Sequence, residues 1–173
     1  MQRRRTLLGA GLAAVLTAGA LGIGPAGAAP GAIVVKGRLS FSPNRFVHST
    51  QHYEPGRRTV ASGGLVTLSN RDGVGEPHTF TIVDFGPDLP NTADEVFNCE
   101  FCNQFFPQHF PAGEDGPPVE VLNAGPAGLD EVGDSVLLFP GETRQLPVSA
   151  PAGTNLFFLC IFHPWMQGRL NVR

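Results

Sequence analysis

The chain has 173 residues, 42% of them hydrophobic, with 12 basic and 15 acidic side chains and a formal net charge of −3. A chain of this size is expected to form one domain around one buried core. The negative charge argues against nucleic acid or an anionic membrane surface as a partner, because both attract basic proteins, whereas it permits a basic protein partner.

Residues 1–28 are predicted to be an export signal. Three arginines at 3–5 precede an apolar run at 7–23, and small residues at 26–28 form a cleavage site. The arginine pair with the leucines after it resembles a twin-arginine signal, although an ordinary secretory signal starts in the same way. We therefore expect residues 29–173 to be a single exported domain, periplasmic or extracellular and without a stable membrane anchor.

The remaining sequence has an all-β pattern. Short runs rich in β-branched and aromatic residues are separated by Gly, Pro and Asn turns, and they lie at 32–36, 65–69, 79–83, 135–139 and 156–160. This pattern predicts a β-sandwich of about seven or eight strands. His48 and His52, four residues apart, are interpreted as a surface pair.

Residues 86–132 interrupt the strand pattern with nine carboxylates and no Lys or Arg. A segment of this length with turn residues throughout indicates a functional lid or a mobile surface loop. Part of it should be helical, with Thr92 as the N-cap and with Pro107 ending the helix. In that helix three phenylalanines at i, i+4 and i+8 would form a stripe that docks on the core, namely Phe97, Phe101 and Phe105.

Cys99 and Cys102 lie within this predicted helix. Two cysteines in an exported protein suggest a disulfide, yet a regular helix does not hold positions i and i+3 in disulfide geometry, so the bond would need a distorted turn. The alternatives are a second soft-metal or redox site that includes His109, or two free thiols. The sequence leaves all three open.

Near the end of the chain, Cys160, His163 and Met166 follow a Cys-x2-His-x2-Met spacing. A thiolate, a neutral imidazole and a thioether are soft ligands that suit copper. The only other methionine, Met1, belongs to the predicted signal. Because this short loop supplies three ligands, a fourth must come from elsewhere in the chain.

This loop resembles the C-terminal ligand loop of the cupredoxins, the small blue copper proteins, and its spacing is most similar to the amicyanin-like and plastocyanin-like members. Four further segments resemble parts of the same family: an early strand, the strand before the first ligand, the first ligand segment and the turn before the last two strands, at 41–46, 64–70, 76–80 and 138–143. The resemblance covers residues 32–84 and 135–173. It implies a cupredoxin-like Greek-key β-sandwich that carries residues 86–132 as a partly helical acidic insertion.

The resemblance also implies that His78, at the start of a strand, completes the ligand set. His78, Cys160 and His163 would form a trigonal plane around one type 1 copper ion, with Met166 as a weak axial ligand. Many cupredoxins have an Asn after the first histidine, and this Asn ties the two ligand segments together. Thr79 stands there in this chain, and its hydroxyl could still bond a backbone group across the site.

Because protein ligands would fill every position around the ion, we expect a soluble, monomeric one-electron carrier that is not an enzyme. His163 would be the exit for the electron, with Pro164 and Trp165 forming an apolar docking patch around it. A redox partner with a basic surface would be complementary to the negative charge of the insertion. We expect the insertion to be an appendage that can be deleted without loss of the copper site. The alternatives are a copper storage or delivery protein, and a redox enzyme that uses Cys99, Cys102 and His109.

Overall fold

The structure is a computed structural model, and it describes residues 32–86 and 88–173. The predicted export signal lies outside these residues. Among the helices that the structure describes, none combines the length and the apolar character needed to cross a membrane.

The described residues form twelve strands and two helices. The strands are β1 (Ala32–Lys36), β2 (Leu39–Ser42), β3 (Phe46–Ser49), β4 (His52–Glu54), β5 (Arg57–Val60), β6 (Leu65–Asn70), β7 (His78–Val83), β8 (Val121–Leu122), β9 (Ser135–Leu138), β10 (Thr143–Pro147), β11 (Asn155–Leu159) and β12 (Gln167–Val172). The helices are α1 (Ala93–Phe97) and α2 (Glu100–His109).

Ten of the strands form two sheets. One sheet has the order β10-β6-β1-β4 and the other has the order β5-β12-β11-β7-β9-β8, while β2 and β3 pair as a separate hairpin. The pairs β1·β6 and β12·β5 are parallel and the others are antiparallel. The predicted all-β sandwich is therefore confirmed. It has more strands than predicted, because strands of two to four residues such as β4 and β8 are too short to show a period in the sequence.

The main core lies between the two sheets. Phe80 of β7 and Phe158 of β11 stack with ring centroids 3.9 Å apart, and Tyr53 meets both rings edge-on. The same buried cluster includes Cys160 and Met166. Full burial of each large apolar side chain contributes about 1.5–3 kcal/mol. The predicted ligand loop is therefore fixed directly on the best-packed part of the domain.

The insertion covers the outer face of the six-stranded sheet. Because side chains alternate along a strand, Val83 of β7 and Leu159 of β11 point away from the main core. They pack with Cys102 and Phe105 of α2 in a second buried cluster. As a result, every residue of β7 is buried. The insertion thus forms a third layer on this face of the domain.

The helical part of the insertion starts as predicted and then differs. Thr92 caps α1 in a capping box with Glu95, but α1 ends at Phe97 and a second helix, α2, begins after Cys99. The prediction that Pro107 ends the helix is wrong. Pro107 lacks the N–H that would donate to the carbonyl four residues earlier, so α2 loses one backbone hydrogen bond there and still continues to His109. Phe97 is 83% exposed, so the docking stripe consists of Phe101 and Phe105 alone.

Cys99 and Cys102 form a disulfide, with their Cα atoms 5.2 Å apart. The break between the two helices makes this possible, because Cys99 caps α2 with an extended backbone and is not inside a regular turn. In the structure the bond occupies both sulfurs that the suggested second metal site would use. His109, the third member of that suggested site, binds Val119 and Ser135.

Candidate metal centre

The strand pairing brings two distant parts of the chain together at one pole of the sandwich. His78 is the first residue of β7, and Cys160 directly follows β11. These strands are antiparallel, with Leu159 opposite Thr81, so the end of β11 lies beside the start of β7. His78 and Cys160, 82 residues apart in sequence, thereby become neighbours.

Three predicted ligands converge on one point. Cys160 Sγ lies 3.8 Å from Nδ1 of His78 and 3.6 Å from Nδ1 of His163, and the two Nδ1 atoms are 3.1 Å apart. In a triangle with these sides, the point equidistant from all three atoms lies about 2 Å from each, close to ordinary metal–nitrogen and metal–sulfur bond lengths. Lone pairs directed at one point repel each other unless a cation lies between them, so the residues fit a metal ion.

The loop that carries two of these ligands closes on itself through its backbone. The N–H of His163 donates to the carbonyl of Cys160 at 3.2 Å, the N–H of Met166 donates to that of His163 at 2.8 Å, and the N–H of Cys160 donates to that of Met166 at 3.1 Å. Met166 is 1% exposed and packs in the same cluster as Cys160. The structure thus places the thioether on the buried side of the loop.

The Cys160 thiol is fully buried and is the one free cysteine among the described residues. Burial raises the pKa of this thiol above its usual value, and nearby backbone N–H groups, chiefly that of Thr79, partly oppose the effect. Thr79 N–H lies 3.3 Å from Sγ. A thiolate here therefore needs a cation beside it, which a bound metal supplies.

Thr79 ties the two ligand segments together, as its position after His78 predicts. Its hydroxyl accepts a hydrogen bond from the N–H of Ile161 at 2.9 Å, and Ile161 directly follows Cys160. Its carbonyl accepts a hydrogen bond from the Tyr53 hydroxyl. Thr79 therefore has the linking position that Asn has in many cupredoxins.

Two carboxylates lie behind the histidines. Nε2 of His78 is 3.0 Å from Oδ2 of Asp72, and Nε2 of His163 is 3.2 Å from Oε2 of Glu76. The amide of Gln51 donates to both carboxylates, at 3.1 and 2.8 Å. None of these three residues was predicted from the sequence. The two acidic residues just before His78 were the available signal, but nothing in the sequence marks Gln51.

These carboxylates fix which nitrogen of each ring faces the ion. Burial alone would raise the pKa of Asp72, but hydrogen bonds from His78, Gly75 and Gln51 outweigh it, so the pKa lies below its ordinary value and Asp72 is an anion. An anion at Nε2 holds the proton there and leaves the lone pair on Nδ1. Burial, followed by repulsion from His78, lowers the pKa of His163, which favours the neutral imidazole that binds metals.

The surface around His163 differs in part from the predicted docking patch. Pro164 is buried and offers no docking surface, whereas Trp165 is 39% exposed with its ring 5.2 Å from that of His163. Other aromatic rings extend the apolar surface from the loop to α2, with centroid separations between 5.2 and 6.5 Å. We call the whole set the aromatic rim: Phe106, Phe110, Phe162 and Trp165.

Comparison with known proteins gives matches among solved structures. No protein-family model matches the chain, and no curated protein matches it significantly. The chain is similar to dithionite-reduced auracyanin from Roseiflexus castenholzii, at 22% identity over 83% of this chain and 97% of that chain, with a TM-score of 0.42. It is also similar to a reduced amicyanin variant, at 21% identity over 83% of each chain, with a TM-score of 0.38.

A third similar structure is a larger protein. It is a copper-containing nitrite reductase from Thermus scotoductus, at 15% identity over 81% of this chain and 22% of that chain, with a TM-score of 0.41. In its two-sheet architecture and its ligand motifs, the chain is similar to the cupredoxins, and its donors His78, Cys160 and His163 with Met166 suit one type 1 copper ion.

Proposed function

We propose that this protein is an exported type 1 copper protein that carries single electrons between partner proteins. The observation that carries this proposal is the convergence of two imidazole nitrogens and one cysteine sulfur, within 4.8 Å of one another, in a cage built on the sandwich core. A copper ion bound there would take up and release one electron, since soft ligands in a trigonal arrangement suit both Cu(I) and Cu(II).

The burial of the donors favours electron transfer over substrate chemistry. His78 and Cys160 are 0% exposed and Met166 is 1% exposed. The His163 side chain is 14% exposed, so this ring is the member of the ligand set that reaches the surface. We infer that electrons pass through His163, and that the aromatic rim around it excludes water when a partner docks.

The negative charge of Glu76 and of the insertion indicates the kind of partner. Glu76 lies 3.2 Å from Nε2 of His163, and its side chain is 35% exposed. The insertion adds further exposed carboxylates, among them Glu100, Glu114 and Asp115, and contains no basic residue. Opposite charges raise the rate of encounter, so we infer a redox partner with a basic docking surface.

Two observations support export. The N-terminal 28 residues have the order of a signal, and the disulfide of Cys99 with Cys102 is typical of an oxidising compartment. Expression in a bacterial host followed by mass determination of the periplasmic product should give a chain that starts at residue 29. An uncleaved chain retained in the cytoplasm would contradict this part of the proposal.

Absorption spectroscopy tests the copper site. Protein loaded with Cu(II) should absorb strongly near about 600 nm through charge transfer from the Cys160 thiolate. Cys160→Ser should lose the band, because a hydroxyl is a much poorer charge-transfer donor. As a control, the double variant Cys99→Ser and Cys102→Ser removes two sulfurs outside the site and should keep the band. A colourless Cu(II) form of the parent protein would contradict the assignment.

Two further measurements separate the carrier from the alternatives. A carrier should give a reversible one-electron voltammogram and hold its copper against a chelator. Rapid loss of copper to the chelator would instead indicate storage or delivery. Turnover of a substrate that disappears when Cys99 and Cys102 are replaced would indicate an enzyme.

A further inference from the structure

A strip of polar side chains lies buried beneath the insertion. Thr79 and Thr81 of β7, Ser135 of β9 and His109 of α2 are all 0% exposed. The neighbouring cluster in the same layer is apolar and includes Phe105. A buried polar group costs free energy unless it is hydrogen-bonded, so apolar side chains would fill this layer with fewer geometric constraints. The strip therefore calls for an explanation beyond packing.

The four side chains form one continuous chain of hydrogen bonds. His109 Nε2 is 2.8 Å from the Ser135 hydroxyl, which is 2.7 Å from that of Thr81, which in turn is 3.0 Å from that of Thr79. The strand register produces this order. Thr81 and Ser135 are direct partners across β7 and β9, and Thr79 lies two residues before Thr81 on the same face.

The end of this chain at α2 is firmly anchored. Nδ1 of His109 lies 2.6 Å from the carbonyl of Val119, which only accepts hydrogen bonds, so Nδ1 carries the proton and donates it. The N–H of Val119 donates in return to the carbonyl of His109 at 2.8 Å. Nε2 of the same ring lies 2.8 Å from the Ser135 hydroxyl. His109 is thereby held in one orientation and one tautomer.

The other end of the chain reaches the metal centre. The Thr79 hydroxyl accepts from the N–H of Ile161 at 2.9 Å, and the N–H of Thr79 donates to Cys160 Sγ at 3.3 Å. Thr79 is also the residue directly after His78. A shift of the Thr79 side chain would therefore move the start of the ligand loop relative to β7.

We propose that His109, Ser135 and Thr81 are positioning residues that hold Thr79, and through it the loop of Cys160, so that the insertion sets the geometry of the metal centre. This inference rests on the proposed copper function for its effect on the metal, but the network itself is a property of the copper-free chain. None of the three positioning residues is a metal ligand, since each acts through Thr79.

A pair of substitutions at Thr81 separates hydrogen bonding from packing. Thr81→Val keeps the shape and removes the hydroxyl, whereas Thr81→Ser keeps the hydroxyl and removes a methyl group. Loss of a group that is hydrogen-bonded directly to a metal ligand typically weakens metal binding about 10- to 100-fold, and Thr81 acts one contact further out, so the lower end of that range applies. We expect Thr81→Val to release copper to a chelator about 10-fold faster or more, with a shifted thiolate absorption band, and Thr81→Ser to stay close to the parent protein.

A second set of variants tests the remote end of the network and controls for general destabilisation. His109→Asn retains an amide N–H that reaches Val119 but is too short to reach Ser135, so it should resemble Thr81→Val. Thr59→Val changes an exposed threonine of β5 and should behave like the parent protein. If Thr81→Val and His109→Asn release copper at the parent rate with an unshifted band, the proposal is overturned.

Amide hydrogen exchange of Ile161 in copper-free protein gives a readout that does not depend on the metal. Thr81→Val should accelerate this exchange, because the Thr79 hydroxyl that accepts from Ile161 loses its own support, while Thr81→Ser should not. Equal acceleration in both variants, or at all amides of β7 and β11 together, would show a purely structural role and overturn the proposal. A parent protein that binds no copper would refute the proposed function, yet the exchange measurement would still decide whether the network exists.

Discussion

The carboxylate of Asp72 accepts a hydrogen bond from Nε2 of His78 at 3.0 Å, with both side chains at most 1% exposed. A buried anion is costly unless other groups solvate it, and hydrogen bonds from Gln51 and from the N–H of Gly75 do so here. A negative charge behind a ligand raises the basicity of that ligand and favours the more positive state of the ion.

Substitution of Asp72 should separate the charge from the hydrogen bond. Asp72→Asn keeps an oxygen that accepts from His78 but removes the charge, so we expect copper binding to weaken by about 10-fold or more, and by more for Cu(II) than for Cu(I). Asp72→Ala removes both features and should weaken binding further. Competition with a chelator of known affinity measures the effect. As a control, Asp88→Asn neutralises a carboxylate of the insertion, in a cleft that Glu95 and Glu100 also line, and it should leave the affinity for copper unchanged.

Met166→Leu should keep the copper and raise the reduction potential. A thioether donates weakly to Cu(II), so its loss favours Cu(I), while His78, Cys160 and His163 still hold the ion. We expect an increase of at least about 60 mV, which corresponds to a tenfold change in relative affinity for a one-electron couple. Voltammetry of the two proteins provides the comparison. An unchanged potential, or complete loss of copper, would show that Met166 does not lie in the axial position.

Gly168→Ala should destabilise the domain at the end of the ligand loop. A Cβ atom at this position would lie 2.2 Å from Cζ of Phe158, which is packed in the core, and 2.6 Å from the carbonyl oxygen of Gly56, which accepts a hydrogen bond from Arg169. Overpacking of this kind costs about 1–3 kcal/mol. Urea denaturation measures the loss. Gly56→Ala is the matched control, because its Cβ would have no neighbour nearer than 3.7 Å. Equal stability of the two variants would contradict the expected clash.

The stability of the copper-free protein should depend on the charge state of His109. Burial lowers the pKa of His109 in the folded protein, despite the opposing hydrogen bond to Val119. As the pH falls below about 6.5, the unfolded chain binds this proton before the folded protein does, so the free energy of unfolding decreases. Above that pH His109 is neutral in both the folded and the unfolded protein, so it contributes nothing to the pH dependence of the free energy of unfolding.

Comparison with His109→Asn isolates this contribution, because the other histidines are the same in both proteins. Denaturation at several pH values between 5 and 8, which bracket the usual range for histidine, should show a flatter acid limb for the variant, whatever its stability at neutral pH. Parallel pH profiles would mean that His109 titrates with the same pKa in the folded and unfolded states.

Electron transfer to a basic protein should depend on salt through the insertion. A basic c-type cytochrome is a suitable probe, and its rate of reaction should fall as salt screens the attraction, with a Debye length of about 8 Å at physiological ionic strength. Neutralising three exposed carboxylates, by Glu100→Gln, Glu114→Gln and Asp115→Asn, should flatten this dependence. Stopped-flow mixing at several salt concentrations measures both slopes. Glu54→Gln, outside the insertion, should change the slope little, and identical slopes for the triple variant would exclude a docking role for these residues.

The sequence predicted the parts of the site that depend on chemistry and short spacing. The ligand loop has its ligands three residues apart, so Cys160, His163 and Met166 were visible as a pattern, and the strand start at His78 supplied the fourth position. The cross-site bond from Thr79 to Ile161 also followed from a single polar residue next to a ligand.

The missed features depend on contacts between distant parts of the chain. Gln51 lies 21 and 25 residues from the two carboxylates to which it donates, and no local pattern connects them. The docking stripe of the insertion was predicted in part, since Phe101 and Phe105 pack on the sheet, but the burial of Cys102 beside them was not predicted. The helix break at Asn98 and Cys99 accompanies the disulfide, whose pairing the sequence left open.

The side-chain amide of Gln51 couples the two carboxylates that bond the histidines. Because the same nitrogen donates to the carboxylate behind His78 and to the one behind His163, a change at Asp72 frees that amide to bind Glu76 more closely, and the reverse holds for a change at Glu76. The effects of two such substitutions should therefore not add, and a double-mutant cycle should give a coupling energy of about 0.5–3 kcal/mol. A substitution that alters the hydrogen bond to one histidine should therefore also alter the hydrogen bond to the other.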